Sequence, residues 1–434
     1  MDAEALLDAA RALAATGSVC DACLGRPVAD RSHGLTNAAR GGALRTTLAL
    51  ADDEPYDAPD PADCWVCEGL CGRFDDLADR AVAAVGDAGF ATYQVGTRVP
   101  PLVEENERLL REDAGLDPEA GEPLRSEVNR EVGKRVGRLT ETTVDFDRPD
   151  VQFLLDLDAD RVEAQVNSAF VYGRYRKLER GIPQTRWPCR TCDGTGRTGD
   201  GPCDACEGTG LTYQRSVEQL VAPVVEDVMD GVGATFHGAG REDVDARMLG
   251  TGRPFVVEVA EPRRRRIDVE RLESDVNAFA DGAVEVEGLR LATHEMVERV
   301  KTLDAAKRYR ATVVFDGDVS ETALADAVAE LSGATVEQYT PERVDHRRAG
   351  RTRERTAYEV TATRDGPREA TVEIHGEGGL YVKELISGDG GRTEPSLAGL
   401  LGVGAAVRAL DVLAVEAEGD EAFADEAFLR SPPE

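Results

Sequence analysis

The chain has 434 residues, of which 41% are hydrophobic, and it carries a formal net charge of −32. This length predicts two to four domains, and no apolar run approaches the roughly 20 residues that a bilayer-spanning helix needs. We therefore expect a soluble cytoplasmic monomer that has no membrane partner.

The negative charge would ordinarily argue against a nucleic-acid partner, because phosphate binding needs a local positive potential. Carboxylates occur in almost every segment, and arginine supplies nearly all of the cations, since lysine occurs only at positions 134, 177, 301, 307 and 383. This composition is typical of a halophilic protein, because at molar salt the Debye length shrinks to about 3 Å. The alternative is an ordinary acidic protein whose partners avoid negative surfaces.

The first region that we predict, residues 1–73, combines a helix with two cysteine pairs. Apolar positions repeat at helical spacing over residues 2–15, and Gly17 is a plausible end for that helix. After it come two Cys-x-x-Cys pairs separated by a loop rich in Asp and Pro, Cys20/Cys23 and Cys64/Cys67. In a chain without a secretion signal this spacing favours metal ligation over disulfides, and two pairs can close one tetrahedral Zn²⁺ site. Cys71 has no partner in this arrangement.

Residues 74–185 are predicted to form an α/β region. The pattern predicts helices over 75–85, 102–113 and 124–138, and strands over 151–157, 162–166 and 169–175. The run Tyr172–Arg180 interleaves aromatic rings with cations, which suits RNA because bases stack on rings while guanidinium groups contact phosphate. The alternative interpretation is a strand edge that carries ordinary solvated charge.

Residues 186–212 contain an internal repeat, in which Cys-x-x-Cys-x-Gly-x-Gly starts at residue 189 and again at residue 203. The glycines fit tight turns that aim backbone amides at thiolates, so we expect a second closed, structural Zn²⁺ site. Its ligands would be Cys189, Cys192, Cys203 and Cys206. A zinc deaminase is excluded because the one His-x-Glu, at His375, lies downstream of the cysteines and in the wrong order.

Residues 213–434 are predicted to form an α+β domain on a mixed, largely antiparallel sheet. Ser216 and Gln219 form a possible capping box for a helix that ends near Gly231. Further helices are expected over 269–279 and 321–331, and strands over 255–259, 309–315, 357–363 and 370–374. No glycine-rich phosphate loop follows a strand, so nucleotide and S-adenosylmethionine cofactors have no support.

Chemistry is concentrated in the segment Gly240–Phe255, which is dense in glycine and fixed charge just before a strand. A Gly-Arg-x-Asp tetrapeptide alone is common and is often only a turn with a local ion pair. The longer stretch Gly240–Val259, however, resembles the catalytic motif of the archaeal and eukaryotic tRNA pseudouridine-54/55 synthase family. Three further segments are similar to the same family: Lys307–Arg310, Leu380–Ser396 and Leu410–Val412. The cysteine pairs also lie at the positions where that family has them.

This resemblance covers essentially the whole chain, and it implies both a fold and a reaction. The middle block would be a THUMP-containing module that binds tRNA, and the C-terminal half would have the pseudouridine-synthase fold. Uridine at position 54, position 55 or both of the T-loop would become pseudouridine. The N1–C1′ bond is cleaved, the base rotates, and it rejoins through C5. No metal or organic cofactor is implied for catalysis.

The resemblance also implies which residues act. Asp243 matches the nucleophile, which would act by attack at C1′, by loss of a C2′ proton to a glycal, or by attack at C6. Tyr309 and Tyr381 match tyrosines that contact the flipped uridine. Lys383, expected on a strand after Tyr381, matches the basic residue that pairs with the aspartate and favours its charged form. Arg241 is expected to help bind the substrate.

Simpler interpretations remain for some of these residues. Tyr309 has alternating apolar neighbours and is a candidate core residue, and Lys383 could form a surface ion pair. Glu242 and Asp245 flank Asp243, and only alignment with the motif distinguishes the three carboxylates.

Two other functions were considered for the whole chain. The glycine-rich cysteine repeat is similar to J-protein zinc knuckles, so a non-catalytic, zinc-stabilised tRNA-binding protein or chaperone is the alternative. A THUMP-containing methyltransferase or thiolation enzyme would require a cofactor loop that is absent.

Overall fold

A computed structural model describes residues 2–341, 350–416 and 421–430. The chain forms two compact units, Met1–Asn167 and Ser168–Glu434. No helix in these described ranges has the length and apolar character of a membrane span.

The first unit combines six helices with a four-stranded sheet among its described residues. Its helices are α1 Ala3–Ala15, α2 Asp21–Gly25, α3 Asn37–Asp52, α4 Phe74–Val85, α5 Pro101–Asp113 and α6 Leu124–Thr140. Its strands are β1 Thr92–Arg98, β2 Thr143–Val144, β3 Val151–Asp156 and β4 Arg161–Val166, in the order β2-β1-β3-β4. Short 3-10 helices lie at Arg26–Val28, Pro61–Asp63 and Leu70–Gly72. Only the β3–β4 pair is antiparallel in this sheet, since β1 pairs in parallel with both β2 and β3.

Helix α3 occupies part of the segment that we expected to be a loop. Thr36 caps its N-terminus by accepting a hydrogen bond from the amide of Ala39 at 3.1 Å. A Cβ atom on Gly41 would lie 1.8 Å from the Asp21 carbonyl oxygen, and one on Gly25 would lie 2.1 Å from the Asn37 carbonyl oxygen. These glycines therefore allow α2 and α3 to pack backbone against backbone.

The second unit is built on a ten-stranded sheet. Its strands, together with the separate hairpin β6–β7, are β5 Ala169–Lys177, β6 Arg197–Thr198, β7 Gly201–Pro202, β8 Gly233–Gly238, β9 Arg247–Ala260, β10 Val284–Ala292, β11 Ala306–Phe315, β12 Ala334–Tyr339, β13 Thr352–Gly366, β14 Glu369–Gly376, β15 Thr393–Glu394 and β16 Ala405–Glu416. The order is β10-β5-β9-β16-β11-β14-β13-β12-β15, and β8 pairs with β9. The described pairings in this sheet are antiparallel except β9 with β16, as expected from the sequence.

Helices cover this sheet and close its core. They are α7 Val217–Met229, α8 Val269–Ala280, α9 His294–Lys301, α10 Glu321–Leu331, α11 Val382–Ser387, α12 Leu397–Leu401 and α13 Glu421–Ala424, with 3-10 helices at Gly388–Gly391 and Glu426–Phe428. Ser216 is the N-cap of α7 as predicted, since the Gln219 amide donates to Ser216 Oγ at 3.2 Å, and the Gln219 side chain bonds the Ser216 hydroxyl, which donates to Gln219 Oε1 at 3.0 Å.

Strand β5 corrects two expectations from the sequence. It pairs with β9 and β10, so it belongs to the second unit, and the division between units falls after Asn167 rather than at residue 185. The side chains of Tyr172, Tyr175 and Lys177 are buried. The Tyr172–Arg180 run is thus neither a stacking surface for RNA bases nor a solvated strand edge, because the two rings are buried in hydrophobic clusters on opposite faces of β5, and β5 lies between β9 and β10.

Candidate active site

The loop 239–246 joins β8 to β9 and is fixed at several points along its backbone. The Arg253 guanidinium donates to the Ala239 carbonyl at 2.8 Å, and the Gln184 amide donates to the Gly240 carbonyl at 2.8 Å. Farther along, the Gly181 amide donates to the Val244 carbonyl at 2.9 Å. A loop held in this way presents its side chains in defined directions.

A cavity of about 520 Å³ opens beside this loop. It is lined by segments far apart in sequence, from β11, the start of α11, β16 and the chain before α7. All five residues expected at the active site line it: Arg241, Asp243, Tyr309, Tyr381 and Lys383. The structure thus brings the predicted set together, while the role of each residue remains a prediction.

Lys383 lies between two carboxylates at the edge of the cavity. Its ammonium nitrogen is 3.2 Å from Asp243 Oδ2 and 2.9 Å from Asp245 Oδ2. The prediction that Lys383 lies on a strand is wrong, because it is in the first turn of α11. That helix begins after Tyr381, whose backbone exchanges two hydrogen bonds with the buried Gln338 side chain, at 2.8 and 2.9 Å.

The two tyrosines differ in their surroundings. Tyr309 packs against the hydrophobic cores on both sides of β11 and also lines the cavity. Burial raises the pKa of Tyr309 to about 12; the nearby charge of Asp243 adds to this shift and that of Arg253 opposes it. At neutral pH Tyr309 is therefore an uncharged phenol. The hydroxyl of Tyr381 is shielded from solvent and has no hydrogen-bond partner among the described residues.

The environment distinguishes the three neighbouring carboxylates, which the sequence could not do. The Glu242 side chain is 0% exposed and accepts a hydrogen bond from the Tyr175 hydroxyl at 2.9 Å. The Asp245 side chain is 70% exposed. Asp243 is intermediate, at 36%, and it combines cavity access with a cation at 3.2 Å.

Comparisons with known proteins agree with this geometry. Residues 170–416 match the family described as Pus10, C-terminal, and residues 77–156 match the Pus10 THUMP domain, archaeal. The chain belongs to the Pus10 family. It is 71% identical over 425 residues to tRNA pseudouridine synthase Pus10 of Halorubrum lacusprofundi, which covers 98% of this chain and 99% of that protein. It is 42% identical to the Pus10 protein of Methanothrix thermoacetophila, with 92% of each chain covered.

Membership in the Pus10 family confirms several expectations. The chain is a tRNA pseudouridine synthase, an isomerase, with an archaeal THUMP domain and a mixed α+β catalytic domain. The non-catalytic chaperone alternative is therefore set aside. Among solved structures, one chain of a Cbf5-Nop10-Gar1 complex matches with a TM-score of 0.29 and 22% identity, covering 45% of this chain and 44% of that chain.

The second cysteine cluster of this Pus10 chain consists of Cys189, Cys192, Cys203 and Cys206, as grouped from the sequence. Their sulfurs lie within 4.8 Å of one another, and those of Cys192 and Cys206 are 3.7 Å apart. Tetrahedral Zn–S bonds of about 2.3 Å require sulfurs about 3.8 Å apart, so this donor set fits zinc. The amides of Gly196 and Gly210 each donate to a cysteine sulfur at 3.2 Å, as the glycine repeat predicted.

The first cysteine cluster differs in membership from the set that we expected. Its four mutually close sulfurs belong to Cys20, Cys23, Cys67 and Cys71, so Cys71 takes the place given to Cys64. Cys64 is also buried, and its thiol interacts with those of Cys20, Cys23 and Cys67. Five thiols thus lie near one another, since Cys71, in the turn Leu70–Gly72, joins the group of four. This donor set also fits a tetrahedral metal ion.

Sequence reasoning missed the layer beneath the loop. Tyr175, Lys177, Gln184 and Arg253 support the loop around Asp243. Arg253 lies in the Gly240–Val259 motif and Tyr175 and Lys177 lie in the Tyr172–Arg180 run, but neither pattern indicated this supporting role. One signal was available, since lysine is rare in this chain. Three of its five lysines lie at this site, Lys307 and Lys383 in the cavity wall and Lys177 beneath the loop.

Proposed function

We propose that the chain converts uridine to pseudouridine at position 54, position 55 or both of the tRNA T-loop, with Asp243 as the nucleophile and no catalytic cofactor. One observation carries the choice of residue. All three neighbouring carboxylates line the cavity, but Asp243 alone is neither fully buried nor largely open to solvent, and it has Lys383 at 3.2 Å and lies close enough to Tyr309 for its charge to raise the pKa of that phenol.

The reaction balances within the substrate. The N1–C1′ bond breaks, its electron pair stays with the base, and the sugar becomes electron-deficient. The Asp243 carboxylate stabilises the electron-deficient sugar, either by bonding to C1′ or by accepting a C2′ proton. After rotation C5 bonds to C1′ as the Asp243–C1′ bond breaks or as the proton returns from Asp243 to C2′; the C5 proton then leaves, and N1 takes up a proton. Attack of the carboxylate at C6 is the third route.

The remaining residues fit positioning tasks around the base. Tyr309, a neutral phenol, can stack on a flipped uracil. Tyr381 supplies a buried hydroxyl that a base oxygen or N–H group would satisfy. Lys383 balances the carboxylate charge, and Arg241 lines the cavity mouth with a cation for the RNA backbone.

We further propose that the protein acts as a monomer whose first unit, through its THUMP domain, binds tRNA, and that each cysteine cluster holds one structural zinc ion. The match of residues 77–156 to an archaeal THUMP domain supports the first assignment. The spacing of the sulfurs in both clusters supports the second.

The deciding experiment is Asp243→Asn, assayed by mapping pseudouridine in an unmodified tRNA transcript at high salt. Asparagine keeps the size of the side chain but cannot act as an anionic nucleophile. We expect no detectable product, with tRNA affinity within about threefold of the parent and stability within about 0.5 kcal/mol. Transcripts lacking uridine at 54 or at 55 assign the position.

Asp245→Asn is the matched control, because it removes the same charge from the same lysine at a site open to solvent. It should retain measurable turnover, reduced by no more than about tenfold. Product formed by folded Asp243→Asn, or an equal loss in folded Asp245→Asn, would contradict the assignment.

A further inference from the structure

Beneath the loop 239–246 lies a buried cluster of three charged side chains: Lys177, Glu242 and Arg253. Arg253 Nε is 3.0 Å and Lys177 Nζ is 3.5 Å from the Glu242 carboxylate, and the Tyr175 hydroxyl donates to that carboxylate at 2.9 Å. Lys177 and Glu242 side chains are 0% exposed. Charges are rarely buried so completely, because the attraction within the pair must compensate for the hydration free energy that each charge loses.

The Lys177 ammonium does more than pair with Glu242. It donates to the backbone carbonyls of Ile182 at 2.7 Å, Asp243 at 3.2 Å and Val244 at 3.3 Å. Two of these carbonyls belong to the loop that carries the Asp243 carboxylate. A single buried cation therefore fixes the backbone on which the nucleophile depends.

Arg253, a member of the cluster, and the neighbouring Gln184 hold the start of the same loop. Arg253 donates to the Ala239 carbonyl at the start of the loop. Gln184, which lines the cavity, donates both to the Tyr175 hydroxyl at 2.9 Å and to the Gly240 carbonyl at 2.8 Å. The buried cluster thus links the loop, the neighbouring cavity wall and strands β5 and β9.

We propose that Lys177 is a positioning residue, held in place by Glu242, which sets the location of the Asp243 carboxylate relative to Lys383 and the substrate. A misplacement of about 1 Å can cost about 100-fold in rate. The role of Lys177 depends on Asp243 being the nucleophile, as proposed above. A purely structural ion pair would instead support folding without any separate effect on the chemical step.

Lys177→Met is the principal test, because it leaves the Glu242–Arg253 pair intact and electrically balanced. Glu242→Gln would leave two buried cations unpaired and is unsuitable. We expect folded Lys177→Met to lose about 100-fold in single-turnover rate at saturating enzyme, with KM for tRNA within about threefold of the parent. Circular dichroism and thermal unfolding establish that the variant is folded.

Tyr175→Phe is a second variant that removes one hydroxyl and preserves the packed ring. It should lower the single-turnover rate by about three- to tenfold at nearly unchanged stability. The matched control is Glu258→Gln on strand β9, whose partner His237 lies 3.0 Å away on strand β8. Its single-turnover rate should remain within about threefold of the parent.

These outcomes separate the two proposals when Asp243→Asn is measured in the same assay. Activity in Asp243→Asn overturns the nucleophile assignment. If Asp243→Asn is inactive while folded Lys177→Met keeps a rate within threefold of the parent, only the positioning role is overturned. The positioning role is also overturned if the only effect of Lys177→Met is a rise in KM, or if Glu258→Gln loses as much single-turnover rate as Lys177→Met.

Discussion

The first cysteine cluster lies inside the hydrophobic core of the first unit, whereas the second forms a buried cluster with no other apolar member among the described residues. In the first, the buried Arg26 guanidinium is 2.9 Å from Cys23 Sγ and also pairs with Glu107 and Glu127, at 3.0 and 2.7 Å. In the second, backbone amides of the glycine turns approach the sulfurs. The same four-thiol donor set thus lies within a core in one unit and among short glycine turns in the other.

The largest effect that follows is expected from Cys203→Ser in the second cluster. Structural zinc contributes roughly 10–16 kcal/mol in small peptides that have no core of their own. We expect loss of one zinc, loss of hydrogen-exchange protection over residues 188–212, and a rise of about tenfold in KM for tRNA. KM should rise because Trp187 lines the cavity, and its carbonyl accepts a hydrogen bond from the Thr212 amide at 2.8 Å. Loss of order in the segment 188–212 would therefore disturb one wall of the substrate site.

Elemental analysis, hydrogen exchange and steady-state kinetics check these results. The counterpart in the first cluster is the double variant Cys23→Ser/Cys67→Ser, which leaves three of the five thiols, and it should lose zinc without comparable loss of protection around residues 20–28. Native exchange protection in zinc-depleted Cys203→Ser would contradict the difference between the clusters.

A smaller effect is expected from Arg26→Met, which tests the core around the first cluster. The substitution removes the ion-pair partner of the buried Glu127 carboxylate, whereas Glu107 keeps Arg111 at 3.5 Å, so the free energy of unfolding should fall by roughly 3–5 kcal/mol. Denaturant unfolding can be followed through Trp65 in a Trp187→Phe background, since each unit has one tryptophan. Arg45→Met, which breaks a less buried pair with Asp21, should cost about 1 kcal/mol. Equal losses in the two variants would show that burial of Arg26 is unimportant.

The smallest effect is expected from single substitutions of Cys64 or Cys71. Four of the five thiols in this region lie close to one another and Cys64 is buried beside them, so we expect either Cys64 or Cys71 alone to complete the tetrahedron. Each single serine variant should retain two zinc ions per chain by elemental analysis, and the double variant should retain one. Loss of zinc from just one of the single variants would identify that cysteine as the required ligand.

The sequence predicted most helices and strands because their apolar periodicity is strong, as for α10, which has the expected bounds of 321–331. Helix α3 was missed for a physical reason. Gly41 and Gly42 weaken a helical pattern, and their value is visible only once α2 is packed against them. The unit boundary was misplaced because the partners of β5 are strands much later in the chain.

The candidate site, like the fold, was predictable from the sequence only in part. A long motif allowed Asp243, Tyr309, Tyr381 and Lys383 to be named, and the structure brings them around one cavity. Apart from alignment with that motif, nothing in the sequence separated Glu242 from Asp243, since adjacent residues in a loop acquire opposite environments only when strands β5 and β9 supply Lys177 and Arg253.

The rarity of lysine gives the cavity a chemical handle. Lys307 and Lys383 line it, and Lys177 is shielded beneath it, which leaves Lys134 and Lys301 as the other side-chain amines in the chain. Amine-directed reagents ignore the guanidinium groups that carry almost all of the positive charge. A footprint with such a reagent would therefore report whether RNA occupies the cavity, independently of turnover and in a variant that has no turnover to measure.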